Sequence, residues 1–182
     1  MSVVSEIRRL FRETIARFGR LDIVVNNAGP EPNTVKPISD VTEEEFDRNH
    51  AGFARGPYFV LQEAARNLKD NGRIINISTV VTSLLPPYSS PYAGAKAALE
   101  AFSGVLAAEL APRGITVNVI QPGGVETKML RSLPKEIQDQ LAQRTPLGIG
   151  RPRDIAGMAA YLASDDGAWI TNEKFRVDGG IR

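Results

Sequence analysis

One tyrosine and one lysine stand at a spacing that could perform acid–base chemistry. Tyr92 and Lys96 lie four residues apart in the segment PYAGAKAAL. On a helix, residues at i and i+4 share one face, with about 5–6 Å between their Cβ atoms. A phenol with a reference pKa of about 10 is a poor proton donor near neutrality, and a neighbouring ammonium lowers that pKa. The pair therefore predicts a general acid or base for interconverting a carbonyl and an alcohol.

Three predicted strands end in residues that could contact the same ligand. Thr79 follows the apolar run RIINIS at 73–78. Parallel sheets bind ligands outside the carboxyl ends of their strands, so Thr79 is predicted to lie near the ligand. The run LDIVVN at 21–26 ends in the polar and small residues NNAG, and ITVNVI at 115–120 is followed by QPGG.

Alternating helix and strand patterns place these residues in an α/β fold. Strands are predicted at 21–26, 73–78, 115–120 and 175–178, and loops at 28–37 and 83–91. Helices are predicted at 2–18, 43–69 with an interruption near 52–57, 91–110, 133–143 and 152–163. Thr42 and Glu45 have the spacing of a capping box. Strands separated by helices predict a doubly wound parallel sheet with helices on both faces, in one domain spanning 1–182.

The composition argues against several other classes of protein. The 182-residue chain has no cysteine and one histidine, His50, which excludes thiolate metal sites and zinc sites built on several imidazoles. The net charge of +1 argues against a nucleic-acid partner. The sequence has neither a run of about 20 apolar residues nor the apolar core of a signal peptide. We expect a cytoplasmic protein with no membrane or nucleic-acid partner, and we interpret His50 as a helix-packing residue.

Six segments together resemble the short-chain dehydrogenase/reductase family. They occur in the family's order and spacing, cover essentially the whole chain, and read LDIVVNNAG, GRIINIST, PYAGAKAAL, RGITVNVIQPGGVET, GRPRDIAGMAAYLAS and FRVDGG. The last segments resemble the subgroup that contains 3-oxoacyl-[acyl-carrier-protein] reductases and related sugar and alcohol dehydrogenases. The resemblance implies a Rossmann-like sheet and an NAD(P)-dependent oxidoreductase acting on a carbonyl or alcohol, and it leaves the substrate open.

The resemblance also implies roles for particular residues. Tyr92 would donate the proton to the carbonyl, Lys96 would tune Tyr92 and hold the nicotinamide ribose, and Thr79 matches the family's substrate-polarising serine. The implied cofactor-binding residues are Asn26, Ala28 and Gly29 on the adenosine side, Tyr92 and Lys96, and Pro122, Gly123 and Thr127 beside the nicotinamide. No metal ligand is implied.

Three features depart from the family pattern. No Gly-x-x-x-Gly-x-Gly turn occurs in the chain. In the family this turn belongs to the first β-α-β-α-β half, binds the cofactor pyrophosphate, and precedes the residue that selects NAD or NADP. Phe53 occupies the position of the family's catalytic asparagine, and Asn49, a full turn earlier, is not its equivalent. Thr79 replaces the usual serine but keeps the hydroxyl.

Two functions from different classes remain open at this point. The first is an NAD(P)-dependent oxidoreductase, which the intact Tyr92–Lys96 pair favours. The second is a catalytically silent homologue that serves as a binding or oligomerisation partner, which the missing turn and Phe53 favour. In either case, four apolar residues would either line a substrate pocket or pack the short predicted helix against the rest of the domain. They are Met129, Leu130, Leu133 and Leu147.

The sequence also predicts self-association. By resemblance, the helices at 43–69 and 92–110 pair across the family's dimer interface, which implies a homo-oligomer, either a dimer or a tetramer. The strand at 21–26 lies at a sheet edge when the family's first half is absent. It is apolar, and an unprotected strand edge can recruit another strand. We therefore expect this segment to promote aggregation.

Overall fold

A computed structural model describes residues 3–30 and 35–182. Within them, four strands form one sheet in the order β1-β2-β3-β4, and all three neighbouring pairs are parallel. The strands are β1 (Ile23–Asn26), β2 (Arg73–Ile77), β3 (Thr116–Pro122) and β4 (Lys174–Val177). This arrangement confirms the predicted α/β fold. Ser2 of the predicted first helix and residues 31–34 of the predicted 28–37 loop lie outside the described residues.

Helices connect the strands, as the sequence predicts. They are α1 (Val4–Phe18), α2 (Glu43–His50), α3 (Gly56–Asn67), α4 (Val81–Leu84), α5 (Ser90–Leu110), α6 (Lys128–Arg131), α7 (Lys135–Arg144) and α8 (Pro152–Ala163). The short helices α4 and α6 have no counterpart among the predicted helices. The helix α1 ends at Gly19, which adopts a φ of 78° and donates its N–H to Ile15 O at 2.8 Å. Glycine is favoured at such a left-handed position.

The two faces of the sheet are covered by different helices. Successive strand residues point to opposite faces. Ile74 of β2 belongs to a core cluster with residues of α1, α3 and α5. Its neighbour Ile75 packs on the other face, in a cluster with Ile120 of β3 and Leu162 of α8. This two-sided covering confirms the doubly wound architecture.

The predicted interruption near 52–57 is a π-helical turn rather than a break. Thr42 caps α2, because its Oγ1 accepts from Glu45 N at 3.3 Å while Glu45 Oε2 accepts from Thr42 N at 2.9 Å. This pair confirms the predicted capping box. A π-helical turn, Ala51–Arg55, then joins α2 to α3 and buries Phe53. Such turns are frequent at functional sites, and this one sets the position of the Phe53 ring.

A row of buried polar side chains crosses from β1 to α5. Asn26 Nδ2 donates to Asn76 Oδ1 at 3.1 Å, and Asn76 Nδ2 donates to Ser103 Oγ at 2.9 Å. Ser103 Oγ in turn donates to Leu99 O at 2.7 Å. Each of these groups is therefore hydrogen-bonded inside the core.

One side of β1 has no neighbouring strand among the described residues. Ile23 and Val25 on this strand are 44% and 48% exposed. A groove beside them is lined by Leu10 and Phe11 of α1. The strand is thus an apolar edge, as the sequence predicts.

Candidate active site

The carboxyl ends of the strands gather the predicted site residues at one edge of the sheet. Because all four strands are parallel, the end of β1 at Asn26, the end of β2 before Thr79 and the end of β3 at Pro122 share this edge. Val80 N donates to Pro122 O at 3.0 Å and ties the loop after β2 to the end of β3. Ligands bind at such edges in open α/β sheets.

The first turns of α5 bring Tyr92 and Lys96 to this edge. Pro91 lies in the first turn of the helix, where its missing N–H costs no hydrogen bond. Lys96 is only 7% exposed, and its Nζ donates to Ile77 O, the last carbonyl of β2, at 2.6 Å. The lysine thereby fixes α5 against the end of the strand that precedes Thr79.

Thr79 completes the group around Tyr92. Its side chain lies close enough to the Tyr92 phenol to lower the pKa of that group. Its Oγ1 also accepts from Val81 N at 3.3 Å, which fixes the hydroxyl. The structure therefore brings together the three residues that were expected to be catalytic, Thr79, Tyr92 and Lys96.

Burial controls the protonation of the Tyr92–Lys96 pair. Burial raises the pKa of Tyr92 to about 12, and the neighbouring Thr79 side chain opposes that rise. Burial lowers the pKa of Lys96 to about 8, and the negative charge of Glu100 opposes that fall. The expected lowering of the Tyr92 pKa by Lys96 is wrong for this structure. The lysine donates to Ile77 O instead, and desolvation dominates both groups.

Phe53 closes one side of this pair. The residue is 2% exposed, and its ring lies 5.3 Å from Lys96 Nζ, measured to the ring centroid. Asn49, one turn earlier, donates its Nδ2 to Glu45 O at 2.8 Å. The aromatic ring therefore lies beside Lys96, and the Asn49 amide nitrogen donates to a backbone oxygen of its own helix.

The loop after β1 reaches the same ring. A Cβ added at Gly29 would lie 2.7 Å from Phe53 Cε1, so only a residue without a side chain permits this approach. Ala28 and Gly29 are both exposed. Asn26 lies at the strand end, but its side chain is buried and its amide nitrogen donates to Asn76.

The predicted nicotinamide-side residues also have structural roles. A Cβ added at Gly123 would lie 2.8 Å from Asp178 Cα, so glycine permits the close approach of the chain after β4. Thr127 is the N-cap of α6, and its Oγ1 accepts from Leu130 N at 3.3 Å. Leu147 is 86% exposed, whereas Met129 and Leu130 are partly buried.

Sequence reasoning missed one buried acid next to this site. Glu100 follows Lys96 by four residues and is 6% exposed. The i, i+4, i+8 spacing of Tyr92, Lys96 and Glu100 could have identified it, because these residues share one helical face. His50, by contrast, stacks on Phe46 with 3.9 Å between ring centroids, which is consistent with a packing role.

Residues 3–30 and 35–182 contain neither a membrane-spanning helix nor a cluster of metal-binding side chains. No helix there is long and apolar enough to cross a membrane. No group of three or more His, Asp or Glu side chains there could hold a metal ion.

Known proteins resemble this chain along its whole length. A family model described as "Enoyl-(Acyl carrier protein) reductase" matches residues 2–182. An uncharacterized oxidoreductase of Methylorubrum extorquens is 44% identical, over 100% of this chain and 74% of the relative. The tetrahydroxynaphthalene reductase of Pyricularia oryzae is 37% identical, over 99% of this chain and 68% of that protein.

Solved structures share the fold. A short-chain dehydrogenase/reductase from Serratia marcescens has a TM-score of 0.91 and 35% identity, covering 98% of this chain and 73% of that one. The angucycline C-6 ketoreductase LanV with bound NADP has a TM-score of 0.89 and 34% identity, covering 99% and 72%. The chain belongs to the short-chain dehydrogenase/reductase family. It is an oxidoreductase of the short-chain type, with the Rossmann-like sheet that the family shares.

Proposed function

We propose that Tyr92 is the general acid in the reduction of a small-molecule carbonyl by a nicotinamide cofactor. The observation that carries this proposal is the proximity of the Thr79 side chain to the Tyr92 phenol at the carboxyl end of β2, close enough to influence the pKa of that phenol. Two hydroxyl groups are thus close enough to contact one substrate oxygen. A pKa raised to about 12 keeps the proton on Tyr92 near neutrality and makes the phenol a weak acid, so proton donation depends on stabilisation of the resulting phenolate.

The residues of this chain supply the proton and the orientation. Thr79 orients the carbonyl oxygen, and the Tyr92 O–H gives that oxygen its proton, which leaves a phenolate on Tyr92. Lys96 follows Tyr92 by one helical turn on α5. Its ammonium stabilises the negative charge that develops on the Tyr92 phenol. The nicotinamide, when bound, supplies the hydride to the carbonyl carbon. The reverse reaction would oxidise an alcohol, with the proton returning to Tyr92.

The residues present fit the nicotinamide half of such a cofactor. Tyr92 and Lys96 would hold its ribose, and Pro122, Gly123 and Thr127 would contact the nicotinamide. Asn26, Ala28 and Gly29 would line the adenosine side, where Ala28 and Gly29 are exposed and lack bulky side chains. These 182 residues contain no Gly-rich turn for the pyrophosphate, so we expect weak binding by the chain alone. LanV binds NADP, which makes NADPH the first cofactor to test and NADH the second.

The position of Phe53 favours a second candidate function. Its ring fills one side of the acid–base pair with an apolar group. A family member without turnover could persist as a binding or oligomerisation partner. We propose a homo-oligomer in either case, assembled through α2, α3 and α5, and a cytoplasmic single-domain protein over residues 1–182.

Turnover by Tyr92→Phe tests the proposed function. NADPH at millimolar concentration and a panel of ketones would be supplied to the wild-type chain and to the variant, which loses one hydroxyl and keeps the ring. We expect a rate about 10²–10⁴-fold lower in the variant, with an unchanged melting temperature. A variant that kept more than a few per cent of the rate would show that Tyr92 is not the acid. A folded wild-type chain that oxidised no NADPH or NADH would favour the silent homologue.

A further inference from the structure

A buried carboxylate connects the site to three other elements. Glu100 lies one helical turn beyond Lys96 on α5, and its Oε1 accepts three hydrogen bonds. The donors are Ser78 Oγ after β2 at 2.6 Å, Thr82 Oγ1 on α4 at 2.7 Å and Gln121 Nε2 on β3 at 2.9 Å. A carboxylate that receives several hydrogen bonds makes stronger bonds than a neutral acceptor would.

Glu100 keeps its negative charge in this environment. Burial raises the pKa of its carboxyl, but the hydrogen bonds from Ser78, Gln121 and Thr82 and the ammonium of Lys174 outweigh burial and lower the pKa below the usual value. Lys174 Nζ lies 3.3 Å from Oε2, the other carboxylate oxygen, and its side chain is half-exposed. The three hydrogen bonds and the ion pair therefore use different oxygens of the same carboxylate.

The hydrogen bonds of Glu100 fall on both sides of Thr79. Ser78 precedes Thr79 directly, and Thr82 follows it by three residues. Thr82 Oγ1 lies 2.8 Å from Thr79 O as well as 2.7 Å from Glu100, so its one proton is shared between the two acceptors. Gln121 Nε2 also donates to Thr82 Oγ1 at 2.9 Å. The short loop that carries Thr79 is thus held by one carboxylate at both of its ends.

We propose that Glu100 is a positioning residue that holds the Thr79 hydroxyl near the Tyr92 phenol by fixing Ser78 and Thr82. The inference rests on the proposed function, because Thr79 matters only if Tyr92 transfers the proton. Glu100 acts through Ser78 and Thr82 rather than by contact with the reacting atoms. Small displacements of a positioned group reduce rates strongly, so the loop geometry has a direct effect on turnover.

Two substitutions separate the geometry of Glu100 from its charge. Glu100→Gln keeps an oxygen that can accept from Ser78, Thr82 and Gln121, and it removes the charge. Glu100→Leu removes the acceptor of all three hydrogen bonds. Lys174→Met is the matched control, because it removes the ion pair at Oε2 and leaves the Oε1 hydrogen bonds in place.

The experiment combines kinetics with a spectroscopic measurement on Tyr92. The chain has four tyrosines, so ¹³Cζ-tyrosine NMR gives few resonances, and Tyr92→Phe assigns the one of interest. We expect Glu100→Leu to shift the Tyr92 resonance and to lower kcat by roughly 10²-fold with little change in KM. Glu100→Gln should recover most of kcat and the wild-type resonance. Lys174→Met should match the wild type in both measurements.

The outcomes distinguish this proposal from the proposed function. A folded Glu100→Leu variant with an unshifted Tyr92 resonance would overturn the positioning role. Failure of Glu100→Gln to recover the resonance would also overturn it, because charge rather than geometry would then be responsible. If Glu100→Leu does not fold, the double variant Ser78→Ala/Thr82→Val removes the two flanking hydrogen bonds and must shift the resonance instead. A shifted resonance together with unimpaired turnover by Tyr92→Phe would retain the positioning role and refute the proposed function.

Discussion

The ring of Phe53 meets the ring of Tyr92 edge-on, with 4.9 Å between their centroids and an interplanar angle of 79°. Edge-to-face ring pairs at such distances contribute a favourable interaction energy in addition to that from the surface area they bury. The same Phe53 ring lies 5.3 Å from Lys96 Nζ. One apolar side chain therefore packs against the Tyr92 phenol ring and borders the Lys96 ammonium, and it keeps water from that side of both groups.

Replacing Phe53 with asparagine should increase turnover. Phe53→Asn would put a polar side chain and space for water beside Lys96, so the pKa of Lys96 should rise from about 8 toward its usual range. The loss of a buried ring should lower the free energy of unfolding by about 3–5 kcal/mol. Steady-state NADPH oxidation, measured below the melting temperature of the variant, checks the prediction. Phe53→Leu, which stays apolar, is the control, and an equal increase in both variants would refute the role of polarity.

A side chain at Gly29 should destabilise the protein through Phe53. The added Cβ of Gly29→Ala would lie 2.7 Å from Phe53 Cε1, and the buried ring must move to accept it. Overpacking of this kind costs about 1–3 kcal/mol. Urea unfolding of Gly29→Ala, Phe53→Leu and the double variant measures the coupling between the two sites. We expect Gly29→Ala to lower the free energy of unfolding clearly less in the Phe53→Leu background than in the wild type. Equal losses in the two backgrounds would contradict the contact between position 29 and the Phe53 ring.

The buried Lys96 should make stability rise with pH between about pH 8 and 10. In the folded chain the pKa of Lys96 is lowered to about 8, against a usual value near 10.5. Between these values the unfolded chain binds a proton that the folded chain does not, so the free energy of unfolding increases with pH. The full shift corresponds to roughly 3 kcal/mol. The raised pKa of Tyr92, about 12, acts in the opposite direction only above about pH 10.

Chemical unfolding at pH 7.5 and pH 10 checks this prediction. Lys96→Met provides the reference, because methionine keeps a long apolar side chain and does not titrate. The wild type should gain stability over this interval relative to the variant. Parallel changes in the two proteins would show that Lys96 has an ordinary pKa in the fold.

The exposed edge of β1 should cause self-association. Ile23 and Val25 are half-exposed on a strand whose outer N–H and C=O groups have no partner strand among the described residues. Charged side chains at strand edges oppose edge-to-edge pairing, so Val25→Lys should reduce aggregation. Ile38→Lys, at another exposed apolar position, is the control.

Size-exclusion chromatography with light scattering gives the readout. We expect the wild type to form an oligomer through α2, α3 and α5, with larger aggregates that Val25→Lys removes. A stable wild-type monomer near 19.8 kDa at tens of micromolar protein would refute both parts.

Local patterns in the sequence were sufficient to predict most helices and strands and the pairing of Tyr92 with Lys96. The β-branched runs at 73–78 and 115–120 indicate strands that the structure confirms at β2 and β3. The spacing of Tyr92 and Lys96 in an alanine-rich segment predicts their shared helix. These features depend on periodicity along the chain, which the sequence displays directly.

Features that depend on tertiary contacts could not be predicted in the same way. The π-helical turn at Ala51–Arg55 places Phe53 against Gly29 and Tyr92, which lie far from it in sequence. The pKa of Tyr92 rises because of burial, which spacing alone does not reveal. The hydrogen bonds of Glu100 come from residues about 20 positions away on separate elements, so no short motif identifies them.

The buried amide contact between Asn26 and Asn76 specifies how β1 aligns with β2. These residues are direct partners in the parallel pairing, and their side chains bond across it. A slip by one residue would turn every side chain of β1 to the opposite face and leave the Asn76 acceptor buried without its donor. The two strands are separated by about 50 residues of chain, and such long-range parallel pairing forms slowly during folding. The amide contact therefore favours a single alignment at the step where misalignment would otherwise be easiest.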